Sequence, residues 1–251
     1  MATLAKRLMM GALLAAGVVA QAHAAERVRN VVLVHGAFAD GSGWNAVAQI
    51  LERDGYRVTI VQQPETSLEE DIAATNRILD QQDGPTVLVG HSYGGVIISE
   101  AGNNPHVEAL VFVAAFQPDK GEGLASLGAS MPPASTAVTP TPDGFLFIAP
   151  AAFRTDFAAD LPAPTADRMS RSQVPLSIRA ASATVTSPAW KTKRSYAVVA
   201  TQDKSLHPDL QRRMYKRSGT IATEVAASHA VYISQPAAVA AVIERAAKGT
   251  H

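Results

Sequence analysis

The chain has 251 residues, 47% of them hydrophobic, and its 22 Lys and Arg residues balance 22 Asp and Glu residues. This neutral balance argues against a nucleic acid partner, and the basic pairs Arg212-Arg213 and Lys216-Arg217 are typical of a solvated helix face. The absence of cysteine excludes disulfides and cysteine ligands or nucleophiles, and the length suffices for one domain with a well-buried core.

The first 24 residues have the organisation of a secretory signal peptide. A basic lead with Lys6 and Arg7 precedes an apolar stretch over 8–20 and the cleavage motif Ala22-His23-Ala24. The apolar stretch is too short to span a bilayer. We therefore expect cleavage after this motif and a mature domain over 25–251. We also expect that domain to act in the periplasm or outside the cell, without membrane contact once the peptide is removed.

Beyond this segment, strands and amphipathic helices alternate along the chain. Continuous apolar runs such as Val31-Val32-Leu33-Val34 are typical of strands buried on both faces of a parallel sheet. The predicted strands are 31–34, 56–62, 86–89, 110–116, 195–201 and 221–225. The predicted helices run from Trp44 to a stop at Gly55, behind the capping box Ser67-Leu68-Glu69-Glu70, over 96–101, from Pro208, and over 235–248. This order predicts an α/β fold with a doubly wound, mostly parallel six-stranded sheet.

One segment between the fourth and fifth predicted strands breaks the alternation. From about 120 to 190 the chain carries nine of its fifteen prolines and four of its seven phenylalanines, and no run there is typical of a core strand. Such an insertion is more typical of a cap over the functional edge of a sheet than of a second domain with its own core. We therefore expect a cap over about 120–190. A disordered linker is the alternative, which the apolar content disfavours.

A Gly-x-Ser-x-Gly motif, Gly90-His91-Ser92-Tyr93-Gly94, lies directly between the third predicted strand and the helix that follows it. In that context the serine occupies a strained turn, its hydroxyl projects above the sheet, and the next backbone N–H groups point at the space beside it. Glycines flank the serine because a Cβ there would collide with the adjoining strand or helix. The motif therefore predicts that Ser92 is a nucleophile if a base, an acid and an oxyanion hole occur elsewhere.

An oxyanion hole is expected from two backbone N–H groups. One belongs to Tyr93, the residue after the candidate nucleophile. The other is expected in the loop after the first strand, where Ala37 is the first choice and Phe38 the alternative. Gly36 would let this loop approach a developing negative charge closely. One donor of this kind contributes about 10²–10³ in rate.

The base and the acid are expected in loops after the last two strands. His229 follows the final strand, whereas the other histidines lie in the N-terminal segment, in backbone turns, in surface loops or at the C-terminus. Asp203 follows the strand over 195–201 and can hold the imidazole in the required tautomer. Asp119, after the strand over 110–116, is a competing acid, although a solvated turn is its simpler interpretation. The order Ser92, Asp203, His229 is typical of hydrolases with this serine motif.

The chain resembles the α/β-hydrolase superfamily in short motifs spread over nearly all of it except the cap. These motifs are Val34-His35-Gly36-Ala37-Phe38, Gly43-Trp44, Gly90-His91-Ser92-Tyr93-Gly94-Gly95, Gln202-Asp203, Ser228-His229 and Ser234-Gln235-Pro236. Within the superfamily, the chain is most similar to the compact branch of plant methylesterases and hydroxynitrile lyases. The resemblance implies a secreted serine esterase of bacterial type. Such an enzyme acts on a small-molecule ester through an acyl-enzyme and needs no metal or organic cofactor.

Two departures separate the chain from the lyases of that branch. Those lyases have a lysine directly after the catalytic histidine, where this chain has Ala230, and a threonine where it has Gly36. Both differences favour hydrolysis of carboxylic esters of small to medium apolar substrates. A lactonase or a perhydrolase would use the same three residues. A non-catalytic ligand-binding protein with the same fold is the alternative from another class.

An apolar substrate pocket is expected where the cap meets the sheet. Large apolar side chains at strand ends and in the cap are its candidates, and about half of them are expected only to hold the cap on the sheet. These candidates are Phe38, Phe116, Leu124, Met131, Phe145, Phe147 and Phe153.

Overall fold

A computed structural model describes residues 28–134 and 137–249 of the chain. The signal peptide predicted over 1–24, with its cleavage motif, lies outside the described residues. Within the described residues, no helix is both long enough and apolar enough to cross a membrane.

Parallel strands build the main sheet, and they confirm the predicted doubly wound α/β architecture. The strands of the described residues are β1 (Asn30–Val34), β2 (Arg57–Val61), β3 (Thr86–His91), β4 (Val107–Val113), β5 (Val138–Pro140), β6 (Phe145–Ile148), β7 (Leu176–Ser177), β8 (Arg194–Ala200) and β9 (Ile221–Val225). Six of them form one parallel sheet in the order β2-β1-β3-β4-β8-β9. Strands β1 and β3 are buried along their whole length, as expected for central strands covered on both faces.

Helices cover both faces of this sheet. The α-helices of the described residues are α1 (Asn45–Arg53), α2 (Leu68–Leu79), α3 (Gly94–Ala101), α4 (Leu124–Ser130), α5 (Pro150–Asp156), α6 (Ala163–Arg171), α7 (Ile178–Ser182), α8 (Pro208–Ser218), α9 (Val231–Ser234) and α10 (Pro236–Lys248). Helices α1 and α10 pack together over a core that includes Trp44 and Ile243. Helices α2 and α3 pack together on the other face, around Tyr93 and Ile97. Each face therefore has its own apolar core, and the sheet lies between the two.

Strand β4 ends earlier than the sequence predicts, at Val113 rather than at 116. Ala114 has a φ of 43°, a conformation that turns the chain out of the sheet. The N–H of Phe116 then donates to the carbonyl oxygen of Ser92 at 3.1 Å instead of extending the ladder. The early end of β4 therefore fixes the following loop against the serine motif.

The segment over about 120–190, predicted as a cap, lies between β4 and β8. It contains α4 to α7 and a separate three-stranded antiparallel sheet of β5, β6 and β7, which the sequence analysis did not predict. Its own apolar cluster, around Phe153, Phe157 and Leu161, also includes Ala39 and Ala230 from the loops after β1 and β9. The segment is thus packed onto loops that leave the carboxyl ends of the main strands.

Candidate active site

Ser92 lies in the turn between β3 and α3 with a φ of 52°, in the left-handed region that residues other than glycine rarely adopt. The turn leaves no room for a side chain at Gly94 or at Gly36. A Cβ on Gly94 would lie 2.7 Å from the carbonyl oxygen of His35, and a Cβ on Gly36 would lie 2.6 Å from Ser92 Cβ. The predicted strand, turn and helix around the motif are therefore present, and the loop after β1 packs directly against the serine.

Two hydrogen bonds join Ser92, His229 and Asp203. His229 Nε2 lies 2.8 Å from Ser92 Oγ, and His229 Nδ1 lies 2.7 Å from Asp203 Oδ2. The histidine and the aspartate are almost fully buried, and Ser92 is 8% exposed. With a carboxylate beside Nδ1, the neutral imidazole carries its proton there, which leaves Nε2 free to accept the Ser92 proton. This arrangement can deprotonate a serine and stabilise the imidazolium that results.

The Asp203 carboxylate is oriented by its own turn and by α8. Its Oδ1 accepts the backbone N–H groups of Ser205 and Leu206, each at 2.8 Å, and its Oδ2 accepts Gln211 Nε2 at 2.9 Å. All of these donors are neutral, so none of them cancels the attraction of the carboxylate for a cationic His229. Gln211 was not predicted, because it belongs to no sequence motif and could have been noticed only as a polar residue on the buried face of α8.

Asp119, the competing acid, is not brought together with the serine and the histidine. Its Oδ1 lies 2.5 Å from Lys191 Nζ, and its side chain is 32% exposed. The hydrogen bond from Lys191 lowers the pKa of Asp119. The simpler interpretation from the sequence, a solvated turn residue, therefore describes its position.

The backbone N–H groups of Ala37 and Tyr93 donate to no acceptor within the part of the chain that the structure describes. The N–H of Phe38, the alternative donor, is engaged with the carbonyl oxygen of Val174 at 3.2 Å. Both free donors belong to the two segments that meet at Ser92. The two N–H groups therefore remain available to an oxygen atom beside the serine hydroxyl.

His91 supports the loop that carries His229. Its Nε2 lies 3.0 Å from the carbonyl oxygen of His229, and the two rings pack with their centroids 4.6 Å apart. Burial, with a further contribution from His229, lowers the pKa of His91 well below its usual range. A neutral His91 with its proton on Nε2 donates this hydrogen bond and holds the backbone of His229.

The insertion between β4 and β8 holds the same loop. Asp160 accepts the backbone N–H of Ser228 at 3.1 Å and also the Ser228 hydroxyl. The N–H of Ala230 donates to the carbonyl oxygen of Phe157 at 3.0 Å. The residues on both sides of His229 are therefore bound to the insertion. Neither contact was predicted, since Phe157 and Asp160 lie in a proline-rich segment without a motif, where an acid is typical of a solvated loop.

An apolar cavity of about 280 Å³ opens at Ser92 and His229. Its other lining residues are Ala37, Phe38, Phe116, Leu124, Ala125, Gly128, Met131, Pro133, Val138, Leu146, Ile148, Phe157, Leu176, Ser205, Leu206 and His207. No Lys, Arg, Asp or Glu occurs among these described residues, so the cavity suits an uncharged apolar group. Over 28–134 and 137–249, no group of three or more His, Asp or Glu side chains could hold a metal ion.

Four of the seven predicted pocket residues line this cavity: Phe38, Phe116, Leu124 and Met131. The other three, Phe145, Phe147 and Phe153, do not line it. Side chains alternate along β6, and its residues Leu146 and Ile148 are the ones that line the cavity. Phe153 is fully buried and stacks on Phe157 with the ring centroids 4.9 Å apart.

Phe38 lines both the cavity and a second cleft of about 640 Å³. The second cleft is lined by Asp40 and Ser42 from the loop after β1 and by Arg168 and Arg171 from α6. The backbone of Phe38 has a φ of 65°. We infer that its half-buried ring is the partition between the cavity and the second cleft, whose lining adds charged side chains.

Comparisons with known proteins match the chain to a family model and to curated relatives. Residues 31–242 match a family model described as "Alpha/beta hydrolase family". A carbendazim hydrolyzing esterase of Nocardioides sp. (strain SG-4G) is 33% identical over 123 residues, which are 43% of this chain and 51% of that protein. Methylesterase 2 of Arabidopsis thaliana is 31% identical over 110 residues, which are 38% of this chain and 42% of that protein.

The chain spans about half the length of the curated relatives that it matches. Over 88% of this chain and 98% of the other, a pyrethroid hydrolase from Sphingobium faniae JZ-2 has a TM-score of 0.76 and 24% sequence identity. That likeness shows a shared fold. The match to a plant methylesterase confirms the resemblance noted from the sequence motifs.

Proposed function

Because the chain belongs to the alpha/beta hydrolase family, we propose that it is a carboxylesterase-type serine hydrolase that forms an acyl-enzyme. One observation carries the proposal. A continuous series of hydrogen bonds runs from Asp203 through His229 to Ser92, with distances of 2.7 and 2.8 Å, at the wall of an apolar cavity. The names of the matched relatives, an esterase and a methylesterase, give further support.

In the first step, His229 Nε2 accepts the hydroxyl proton of Ser92 while Ser92 Oγ forms a bond to the carbonyl carbon of the ester. Asp203 stabilises the imidazolium and keeps its ring in place. The tetrahedral intermediate then collapses, the bond to the alcohol oxygen breaks, and His229 gives its proton to that oxygen.

The carbonyl oxygen carries a negative charge in the intermediate. We assign its stabilisation to the free N–H groups of Ala37 and Tyr93. We prefer Ala37 to Phe38, because the N–H of Phe38 already donates to Val174. In the second half of the reaction, a water molecule gives a proton to the base and attacks the acyl carbon. The same two donors hold the second oxyanion, and the serine is released with its proton.

The cavity supports small to medium uncharged apolar esters as substrates. A charged acyl or alcohol group would lose its hydration there without gaining an ionic partner from the described lining residues. The volume of about 280 Å³ lies at the small end of ligand pockets, which typically range from about 300 to 1,000 Å³. We therefore expect short and medium p-nitrophenyl esters to be cleaved faster than long ones.

A fluorophosphonate probe tests the nucleophile. We expect labelling of the wild type and a loss of labelling in Ser92→Ala, because only an activated serine attacks the phosphorus atom. Hydrolysis of p-nitrophenyl esters of graded length, beside a panel of lactones, then defines the substrate class. Equal labelling of wild type and Ser92→Ala would refute the proposal, and so would an unlabelled wild type.

The two candidate acids provide a matched pair. Asp203→Asn is expected to lower kcat by about 10⁴, since it favours the wrong tautomer of the imidazole. Asp119→Asn is expected to leave kcat within about twofold, because Asp119 binds a surface lysine and does not approach His229. The reverse pattern would transfer the role of the acid to Asp119.

We also propose a periplasmic or secreted location, supported by the N-terminal sequence alone. Expression of the full chain in a bacterial host, followed by N-terminal sequencing of the exported protein, is expected to give a first residue of Ala25. An unprocessed protein that stays in the cytoplasm would contradict this proposal.

A further inference from the structure

A cluster of buried polar side chains behind the loop of Ala37 takes no part in the steps above. Its members are His35, Gln63, Glu65, Asp71 and Tyr93, and each is less than 5% exposed. None of their side chains lines the catalytic cavity. Two buried carboxyl groups in one cluster are costly, because burial disfavours their charged form and each disfavours ionisation of the other. A cluster with this free-energy cost is expected to have a structural or catalytic role.

Asp71, in the first turn of α2, connects two segments of the chain with its two oxygens. Its Oδ2 accepts the hydroxyl of Tyr93 at 2.7 Å, and its Oδ1 accepts the backbone N–H of Glu65 at 2.7 Å. Burial raises the pKa of Asp71 to about 6, although both hydrogen bonds oppose the rise. Tyr93 follows Ser92 and carries one of the two free N–H groups. One carboxyl group therefore holds both Tyr93 and the turn at Glu65.

Residues 63–65 in turn hold the loop that carries the second free N–H group. Gln63 Nε2 donates to the carbonyl oxygen of His35 at 2.7 Å, and Glu65 Oε1 lies 3.4 Å from His35 Nδ1. Glu65 has a φ of 58°, so its turn is strained and depends on these surroundings. Ala37 lies two residues after His35. A continuous set of contacts thus leads from Tyr93 through Asp71 and residues 63–65 to this loop.

We propose that Asp71 is a positioning residue of the oxyanion hole. It sets the distance between the N–H groups of Tyr93 and Ala37 by holding both of their segments to one side chain. This inference rests on the proposed function, because it assigns a purpose to the same two donors. Asp71 does not line the cavity, so its loss weakens binding of the oxyanion and leaves binding of the neutral ester unchanged.

Three variants separate this role from general stability. Asp71→Ala removes both hydrogen bonds and is expected to lower kcat by about 10–100-fold with KM within about twofold. In Asp71→Asn, the amide oxygen accepts the Glu65 N–H and the amide nitrogen donates to the Tyr93 hydroxyl oxygen, so kcat is expected to stay within about threefold of wild type. Tyr93→Phe removes one bond and is expected to lower kcat by about tenfold.

Ser99, on the helix α3 that follows Tyr93, supplies a matched control. Its side chain is fully buried in α3, and its hydroxyl donates to the carbonyl oxygen of Gly95 at 2.7 Å. Ser99→Ala therefore removes a buried hydrogen bond from the helix that begins after Tyr93 without breaking a contact of Asp71. We expect this variant to keep the kcat of the wild type.

A trifluoromethyl ketone labelled with ¹³C at its carbonyl carbon reports directly on the oxyanion. Ser92 adds to the ketone, and the chemical shift of the labelled carbon follows ionisation of the hemiketal oxygen. The pKa of that oxygen is expected to rise in Asp71→Ala and Tyr93→Phe. It is expected to stay at the wild-type value in Asp71→Asn and Ser99→Ala. If Asp71→Ala does not fold, Tyr93→Phe alone tests the positioning role of Asp71.

Two outcomes would overturn the inference. They are an unchanged oxyanion pKa in folded Asp71→Ala or Tyr93→Phe, and an equal rise in Ser99→Ala. In both cases the ketone adduct still forms, and the proposed function stands. A wild type that forms no adduct would refute the proposed function, and the inference with it.

Discussion

Phe38 is the residue that sets the extent of the catalytic cavity. Phe38 lines both the apolar space of about 280 Å³ and the second cleft of about 640 Å³, and we infer that its ring divides them. A phenylalanine with a φ of 65° is uncommon, so the backbone conformation of the loop after β1 is maintained by its surroundings. The hydrogen bond from its N–H to Val174 ties that conformation to the insertion.

We therefore predict that Phe38→Ala extends the range of substrates towards longer esters. The ratio of kcat/KM for p-nitrophenyl octanoate to that for the acetate is expected to rise about tenfold, because the chain can enter the second cleft. Phe116→Ala is the matched control, since it enlarges the cavity at a wall that does not line the second cleft. The same length profile in both variants would contradict the partition.

Residues with local sequence signatures were predictable, and those with tertiary roles were not. Ser92 could be predicted as a nucleophile because two glycines and a strand-to-helix turn mark it within five positions. The orienting groups around His229 have no such signature. His91 was taken for a residue of a backbone turn and Asp160 was not singled out, because their partners lie 138 and 68 residues away.

At the scale of elements, the insertion between β4 and β8 does more than cover a cavity. Asp160 and Phe157 bind the residues on both sides of His229. Strand β6 contributes two residues of one face, Leu146 and Ile148, to the cavity lining. The base is thus supported from one side by the main sheet and from the other by the insertion.

Asp160→Ala is accordingly expected to lower kcat by about tenfold or more, because it removes two hydrogen bonds from the residue before His229. Asp167→Ala is a suitable control, since Asp167 is an exposed acid on α6 of the same insertion and makes no side-chain hydrogen bond or ion pair among the described residues. Steady-state kinetics on a p-nitrophenyl ester measures both. A full kcat in folded Asp160→Ala would show that the main sheet alone holds the base.

The order and type of the main elements could be predicted, but not the register of β6 or the end of β4. The central strands β1 and β3 are marked by apolar runs that are buried on both faces, whereas the edge strands β2 and β9 are only partly buried. Phe145 and Phe147 were assigned to the cavity by their size, whereas strand pairing decided which side they occupy. The end of β4 depends on the positive φ of Ala114, which a run of apolar residues does not reveal.

At the scale of the whole molecule, the buried acid Asp71 and the exposed acid Asp160 affect stability in opposite directions with pH. Burial raises the pKa of Asp71 to about 6, so the folded state keeps a proton that the unfolded state releases near pH 4. Stability from this group is therefore lost as the pH rises from about 4 to about 6. Burial would also raise the pKa of Asp160, but hydrogen bonds from Ser228 lower it overall. Stability from Asp160 is therefore lost as the pH falls below about 4.

Urea unfolding of the wild type, Asp71→Asn and Asp160→Asn at pH 3.5, 5 and 7 tests this pair. We expect the free energy of unfolding of the wild type to fall relative to Asp71→Asn between pH 3.5 and 7. Relative to Asp160→Asn it is expected to rise over the same interval. Parallel curves for the wild type and either variant would mean that the pKa of that acid is the same in the folded and unfolded states.

The contacts of residues 156–160 have a consequence for protein engineering. The carbonyl oxygen of Asp156 accepts the hydroxyl of Ser205 at 2.9 Å, so the insertion binds the loop of the acid as well as the loop of the base. Exchange of the whole insertion with that of a relative would replace the supports of the Asp203 and His229 loops together with the cavity wall. Grafts that replace only the part of the insertion before α5 change the cavity wall alone. Substrate range and catalytic competence can therefore be engineered separately only on the N-terminal side of that helix.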